Sequence, residues 1–402
     1  MSSTEIRTGA VARPPTPRPS VSVVIPCLNE EENIERCVAG AFAALELSHL
    51  DGEVIVVDND SDDNSALLAR RAGARVVTEL RRGYGSAYLT GLAEAGGEYL
   101  IMADADLTYD FNDIPRFVER LERGAELVMG DRMDNIEPGA MNWLHRYVGN
   151  PMLTGVLNVF FRTGVSDAHC GMRAIRRDAL PRLALRTTGM EFASEMVVRA
   201  AQEGLVIEEI AITYSPRSGY SKLSTFRDGW RHLRFLLLHS PFYLFIVPGG
   251  LLCLFGLLAS ITVLADIHLF GRGWYMHTLI AGSLLIIVGV QVLGLGVCAH
   301  AYASYYLGET DNWFYAVRTR LGLRLEHGLI IGLSIFAIGF IVGGVVVVHW
   351  IAVGFGALAQ EQLVLVAATL VIVGVQVFFS SFLLSIIGLR RYRFEVVPEE
   401  QE

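Results

Sequence analysis

Two aspartates one residue apart, in Asp104-Ala105-Asp106-Leu107, follow directly on the apolar run Tyr99 to Ala103. Carboxylates so spaced at the end of a strand can hold a divalent cation through oxygen ligands, and that cation can bind a diphosphate. The same chain later runs through four apolar segments of membrane length. A carboxylate site tethered to a bilayer points to a nucleotide-activated donor and a lipid as the substrate pair.

Positioning such a site requires a soluble layer, and the composition divides accordingly. The chain has 402 residues, 52% of them hydrophobic and 19% charged, with a mean hydropathy of +0.40. Up to about residue 240, short β-rich runs alternate with charged stretches; beyond it Asp, Glu, Lys and Arg survive almost only in short islands. The pattern predicts strands over Val21 to Pro26, Glu53 to Asp58, Arg75 to Thr78, Tyr99 to Ala103 and Leu127 to Met129. Helices are predicted over Glu31 to Glu46, Asp62 to Ala72, Gly85 to Ala95 and Asn112 to Arg123. This βα repetition implies an α/β fold with a mainly parallel sheet, covered on both faces, with ligands at the carboxyl ends of its strands. Asp58, Asp104 and Asp106 all fall at such ends. For Asp58 and Asp60 a turn followed by a helix cap is an equal alternative.

The apolar segments are Phe242 to Leu264, Leu279 to Leu307, Leu329 to Trp350 and Leu363 to Leu389, each near or above the ~20 residues of a bilayer span. They contain no Asp, Glu, Lys or Arg and few strongly polar residues, Gln291, His300 and Gln376 among them. Ion-coupled transport usually needs intramembrane charge, so a packed bundle that anchors the enzyme and guides a lipid tail is expected instead. Arg227, Arg231 and Arg234 precede the first span, Arg318, Arg320 and Arg324 separate the second from the third, and Arg390, Arg391 and Arg393 follow the fourth. The opposite loops carry only Arg272. The positive-inside rule therefore places the N-terminal domain and both termini in the cytoplasm of a multi-pass protein of the cell membrane. Leu223, Phe226, Trp230, Leu233 and Leu237 recur at helical spacing opposite those first three arginines. They predict an amphipathic helix on the lipid surface, with an ordinary buried helix as the alternative.

Residues 1–20 are polar and proline-rich, without the apolar core of a cleaved signal, and are expected to form a disordered tail. The five cysteines, Cys27, Cys37, Cys170, Cys253 and Cys298, make no CxxC pair and are expected as free thiols in a reducing compartment. A net charge of −9 and the lack of a basic stripe with interleaved aromatics argue against nucleic-acid binding.

The ordered blocks Val23-Val24-Ile25-Pro26-Cys27-Leu28-Asn29-Glu30-Glu31, Val56-Val57-Asp58-Asn59-Asp60-Ser61 and Asp104-Ala105-Asp106 resemble an inverting glycosyltransferase of family 2 with the GT-A fold. Gly130-Asp131-Arg132, Asp167-Ala168-His169-Cys170-Gly171-Met172-Arg173 and Arg217-Ser218-Gly219-Tyr220-Ser221-Lys222-Leu223-Ser224 are similar to blocks of the dolichol-phosphate mannose synthase and polyprenyl-phosphate glycosyltransferase group. The resemblance implies a GT-A domain over 21–222, and the hydropathy and charge pattern adds an interfacial helix over 223–240, a four-helix membrane domain over 241–389 and a cytoplasmic tail over 390–402. It implies that Pro26, Asn29, Glu30, Asp58 and Asp104 bind the nucleotide and that Asp106, with Asp104, binds Mg2+ or Mn2+. Where a glutamine is common in that group this chain has Thr108, expected to reach the ion through water.

Arg132, Arg146, Arg217, Ser221 and Lys222 are the candidates for the acceptor phosphate, because arginine offers a bidentate fork. Arg132 counts with Asp104 and Asp106 as catalytic. An anionic phosphate nucleophile needs no strong base, so Asp167, His169 and Glu195 are assigned none; His169 is expected as an acceptor-pocket or structural hydrogen-bonder. Arg81-Arg82-Gly83-Tyr84-Gly85 reads as a loop approaching phosphate or sugar, or as a plain glycine-rich helix start. The activity implied is transfer of one sugar from a nucleotide donor to polyprenyl or dolichyl phosphate, with UDP-glucose the first donor and GDP-mannose or a UDP-N-acetylhexosamine the alternatives. The product would supply cell-envelope glycan or protein glycosylation. A processive synthase would carry QxxRW, which is absent. An inactive scaffold or lipid-linked sugar flippase is the reading from another class. Members of the group often associate, which leaves a homo-oligomer open.

Overall fold

The computed structural model describes residues 20–218, 225–268, 273–303, 325–355 and 360–389. The chain divides into two units, one ending at Leu236 and the next beginning at Leu237.

In the first unit the strands are β1 (Val21–Cys27), β2 (Gly52–Asp58), β3 (Arg75–Thr78), β4 (Tyr99–Met102), β5 (Leu127–Asp131), β6 (Arg173–Arg176) and β7 (Ile207–Ala211). They form one sheet of order β3-β2-β1-β4-β6-β5-β7. All pairings are parallel except those of β6, which runs antiparallel to β4 and β5. The mainly parallel α/β sheet expected from the sequence is therefore present, with β6 and β7 as additions the periodicity did not reveal. Charged residues interrupt both, Arg173 and Arg176 in β6 and Glu208 and Glu209 in β7, so neither shows a clean apolar run.

The helices of this unit are α1 (Ile34–Leu47), α2 (Ser65–Arg71), α3 (Tyr84–Glu94), α4 (Ile114–Glu122), α5 (Asn150–Phe161), α6 (Leu180–Leu183), α7 (Phe192–Gln202) and α8 (Thr225–Leu238). Several start later than the sequence suggested, because their leading polar residues hold loops together instead. The Glu31 N–H donates to Asp63 Oδ2, and the Asp62 N–H donates to Asn29 Oδ1. Likewise Asp110 accepts the Asn112 N–H in a separate 3-10 turn, Phe111–Asp113, before α4.

Alternate strand residues face opposite layers. Val23, Ile25, Val54, Val56 and Ile101 pack with Ile34, Val38 and Phe117 on one face. Val24, Ile55, Val57, Leu100 and Met102 pack with Tyr88, Leu92, Phe192 and Met196 on the other. Gly91 of α3 is required here, since a Cβ would lie 2.4 Å from Val24 and 2.7 Å from Val57. Helix α8 adds Phe235 and Leu236 to the second layer and buries His232. Trp230 and Leu238 of the same helix stay 59% exposed, so it has both a face buried in the domain and an open apolar face. Leu223 and the side chain of Phe226 lie outside the described residues.

The second unit contains α9 (Val247–Leu264), α10 (Met276–Tyr302), α11 (Leu325–Ala352) and α12 (Glu361–Leu389). A π-helical turn, Phe242–Ile246, precedes α9. Four segments, Phe242–Leu264, Met276–Tyr302, Glu326–Ala352 and Glu361–Ile387, are long and apolar enough to cross a membrane. The second therefore begins three residues before the sequence estimate, and its predicted end at Leu307 falls outside the described residues. Close packing rests on small residues. A Cβ on Gly256 would meet the Gly282 carbonyl at 2.6 Å, and one on Gly374 would meet the Phe336 nitrogen at 2.4 Å.

Candidate active site

Strand order reverses at β1, which has β2 on one side and β4 on the other. The crevice beyond the carboxyl ends of strands at such a switch point is the usual ligand site of an open α/β sheet. Asn29 and Glu30 follow β1 there, and Asp104 and Asp106 follow β4.

Asp104 accepts hydrogen bonds on Oδ1 from the Tyr84 hydroxyl at 3.2 Å and the Tyr88 hydroxyl at 3.4 Å. Burial holds both phenols well above their usual range, so they remain donors. Burial, and after it the charge of Asp106, push the Asp104 carboxyl up to about 6. Its Oδ2 lies against Gly171, where a Cβ would come within 2.3 Å.

Asp106 is held differently. Leu107 adopts a left-handed φ of +61°, which lets Thr108 fold back so that its N–H and hydroxyl donate to Asp106 Oδ1 at 3.2 and 2.6 Å. Thr108 thus orients the carboxylate directly. The other oxygen, Oδ2, lies 3.5 Å from Arg217 Nε, and Arg217 Nη2 also donates to Glu30 Oε1 at 3.1 Å. The segment carrying Arg217 is stitched to this rim. Ser215 and Ser218 donate to the carbonyls of Thr108 and Asp106, and Asn33 Nδ2 donates to the Ser218 carbonyl at 2.9 Å. Ser221 and Lys222 lie outside the described residues.

The structure thus brings Glu30, Asp104, Asp106 and Arg217 together, and it gives other proposed residues different surroundings. Asp58 accepts the Ser61 N–H at 3.2 Å, and the Asn29 N–H donates to Ser61 Oγ at 3.0 Å. Both side chains therefore build the turn that joins the β1 and β2 loops, with Asn29 at a φ of +51°. Pro26 lies in β1 beside Val57 of β2. Asp60 and Asp62 pair with Arg82 at the surface. Gly83 and Gly85 admit the backbone of Thr187 and Thr188, since a Cβ on either would lie 2.2 Å from a carbonyl oxygen there. That glycine pair serves loop packing.

Arg132 departs most from expectation. Its fork is closed on Asp167, with Nε at 2.6 Å from Oδ2 and Nη2 at 2.9 Å from Oδ1. Nη1 donates to the Tyr109 hydroxyl at 3.3 Å, and the guanidinium stands 5.0 Å from the centre of the Tyr214 ring. Burial pushes the Asp167 carboxyl up, but the Arg132 charge and the hydrogen bonds from Arg132 together outweigh it and leave the carboxyl below its usual range. Tyr109 also accepts the Gly171 N–H at 2.7 Å, so the buried pair supports the loop against which Asp104 rests. Arg146 sits apart on the turn His145–Gly149, 5.4 Å from the centre of the Tyr147 ring, among exposed Trp143, Tyr147, Val148 and Met152.

His169 is structural in its contacts. Ser194 Oγ bridges His169 Nε2 at 3.3 Å and His232 Nδ1 at 2.8 Å. Burial and the neighbouring His232 hold His169 well below its usual range. Glu195 accepts the N–H groups of Arg186 and Thr187 and the Thr187 hydroxyl, ordering that loop. Tyr84, Tyr88 and Tyr109 carry no local signal for their roles, because their hydroxyls find their partners only through the fold.

Residues 22–183 match the model of glycosyl transferase family 2, and residues 297–388 match that of the glycosyltransferase family 2 C-terminal transmembrane region. A Haloferax volcanii protein named low-salt glycan biosynthesis hexosyltransferase is 41% identical over 375 residues, 92% of this chain and 89% of its own. The chain belongs to glycosyltransferase family 2. Two further members are similar over less of its length. An undecaprenyl-phosphate 4-deoxy-4-formamido-L-arabinose transferase of Pseudomonas aeruginosa is 32% identical, over 73% of this chain and 87% of its own. A dolichyl-phosphate hexose transferase of Haloferax volcanii is 32% identical, over 52% of this chain and 89% of its own. As a family 2 glycosyltransferase the chain has the expected GT-A-type α/β domain followed by long apolar helices, and the carboxylates above stand at the mouth of its sheet.

Proposed function

We propose that this glycosyltransferase moves one hexose from a nucleotide sugar, UDP-glucose first among donors, to polyprenyl or dolichyl phosphate, yielding a lipid-linked sugar for glycan synthesis. The observation that carries this reading is the Asp104–Asp106 pair at the switch point with Arg217 against it, in a chain with four candidate membrane spans. The hexosyltransferase and polyprenyl-phosphate names of the relatives support the substrate classes.

The donor set suits a hard divalent cation. Two carboxylates stand side by side, with the single guanidinium of Arg217 against Asp106. Among the described residues no cluster of three or more His, Cys, Asp or Glu is arranged for a metal, so Asp104 and Asp106 would hold Mg2+ or Mn2+ together with diphosphate oxygens and water. An ion held there would supply positive charge to offset the charge developing on the departing nucleoside diphosphate.

In this reading Asn29, Glu30, Asp58 and Pro26 shape the nucleotide side. Arg217, with Ser221 and Lys222, attracts the acceptor phosphate, and Arg146 meets it on the exposed apolar segment. An acceptor oxygen attacks the anomeric carbon opposite the diphosphate; the new C–O bond forms as the old one breaks, with inversion. The phosphate is already anionic, so no base is required. Arg132 acts by fixing the Asp167–Gly171 loop. The exposed arginines Arg227, Arg231 and Arg234 favour a cytoplasmic catalytic unit.

The test is transfer from radiolabelled UDP-glucose, GDP-mannose and UDP-N-acetylhexosamines to polyprenyl phosphate by the purified full chain, with and without EDTA. One EDTA-sensitive lipid product, absent in Asp106→Ala, is expected. Full transfer by Asp106→Ala would overturn the metal role, and no product from any donor would overturn the substrate assignment.

A further inference from the structure

Ser194 of α7 is fully buried, and its hydroxyl is shared by two imidazoles, His169 Nε2 at 3.3 Å and His232 Nδ1 at 2.8 Å. The rings stand edge to face, 4.7 Å apart at their centres. A serine hydroxyl has one proton to donate, so it serves both rings only if one nitrogen accepts and the other donates. Neutral imidazoles meet that condition, and burial holds His169 neutral. His169 Nδ1 is buried with no hydrogen-bond partner among the described residues, so Ser194 is the ring's partner. The loop 167–171 that carries His169 is held independently from the interior. Arg173 donates to the Ala168 and Cys170 carbonyls at 2.8 and 2.7 Å, Tyr109 accepts the Gly171 N–H, and Gly171 backs Asp104. The bridge is therefore an anchor set in a fixed wall.

What the anchor holds is α8, which follows Arg217 in the chain. At 3.6 residues per turn, His232 shares the buried face of that helix with Phe235 and Leu236. Arg227, Arg231 and Arg234 lie on the far side, all exposed, with Trp230 beside them. Apolar burial is non-directional and lets a helix roll, whereas a hydrogen bond weakens steeply off its axis and fixes the roll. We infer that His232 is a positioning residue for the acceptor: bridged by Ser194 to His169, it sets the roll of α8 and so aims the arginine-bearing face at the incoming lipid phosphate. A roll of one residue, about 100°, would put Arg231 where His232 stands and draw that charge away from the lipid. The inference rests on a lipid phosphate being the acceptor, as proposed above.

Its test is the Kd of the full chain in nanodiscs for a short-chain polyprenyl phosphate, which needs no turnover, with KM for acceptor and donor from initial rates of transfer. Hydrogen exchange of the α8 amides accompanies both, and thermal melting reports whether each variant is folded. Ser194→Ala and His232→Leu are each expected to raise Kd and KM for polyprenyl phosphate about tenfold, the order of one buried hydrogen bond, with kcat and donor KM within about twofold of wild type. The α8 amides should exchange faster in both. His232→Asn keeps an amide group where Nδ1 stands and is expected to recover the acceptor KM and the slow exchange, which a purely space-filling histidine would not require. Folded Ser194→Ala and His232→Leu that bind acceptor as wild type does would overturn the inference alone. So would a donor KM that rises in step with the acceptor KM, or a His232→Asn that behaves as His232→Leu does. Wild type that shows no saturable binding of polyprenyl phosphate would overturn the acceptor class, and this inference with it.

Discussion

Replacing Asp167 by alanine tests the closed Arg132 fork directly. The two side chains are 7% and 0% exposed, and Asp167 also accepts the His169 N–H at 3.3 Å. Its removal strands a buried guanidinium with only the Tyr109 hydroxyl and the Tyr214 ring nearby. Breaking a buried pair by removing one partner costs about 3–5 kcal/mol. For a domain of this size each kcal/mol shifts the midpoint by roughly 2–4 °C, so a fall of roughly 6–20 °C is expected. Thermal unfolding of the full chain in detergent, followed by near-UV circular dichroism, gives the midpoint. Hydrogen exchange of amides 167–171 reports whether the loop loosens first. The double variant Arg132→Met/Asp167→Leu removes both charges and is expected to recover most of the loss, because an apolar pair of similar volume replaces a salt bridge at little cost. A fall of under about 3 °C in Asp167→Ala, corresponding to less than roughly 1 kcal/mol, would refute the reasoning. It would mean that the Arg132 fork is available to a ligand.

Two other perturbations address the rim and the histidine pair. Gly171→Ala would place a methyl group 2.3 Å from Asp104 Oδ2 and 3.0 Å from the Tyr109 hydroxyl. It is expected to cut transfer at least about tenfold while costing only about 1–3 kcal/mol of stability; unchanged initial rates would refute it. His169, held neutral in the fold, binds fewer protons there than in the unfolded chain, so its contribution is complete above about pH 6.5 and is lost as the pH falls below that value. The expected loss is about 1.4 kcal/mol per pH unit, and His169→Gln should flatten denaturant-derived stability by that slope between pH 6.5 and pH 5. An identical slope in the variant would show that the imidazole charges freely.

What the sequence revealed depended on the range of the interaction. Asp104 and Asp106 were legible because a strand and the residues that end it are contiguous, and the apolar run Tyr99 to Ala103 already shows where the strand stops. The four spans were legible for the same reason, since length and apolarity are local properties. The antiparallel β6 was not, because Arg173–Arg176 has an arginine at each end and only two apolar residues between them. Its place between β4 and β5 follows from pairing partners distant in the chain.

Arginine shows the limit most clearly. Arg132 and Arg217 both occur in blocks that resemble phosphate-binding segments, and nothing in either local sequence separates an arginine that grips a ligand from one that grips the protein. What separates them is the environment of the fork. Arg132 meets a carboxylate 35 residues away that is wholly buried, and two charge-assisted bonds at 2.6 and 2.9 Å use its donors. Arg217, at 23% side-chain exposure, makes one bond to Glu30 and a looser 3.5 Å approach to Asp106. Both of its partners stand on the rim where a diphosphate and its cation would arrive. A guanidinium held by replaceable contacts at the mouth of the sheet can exchange them for phosphate oxygens, whereas one sealed in a bidentate pair cannot do so without exposing a buried carboxylate.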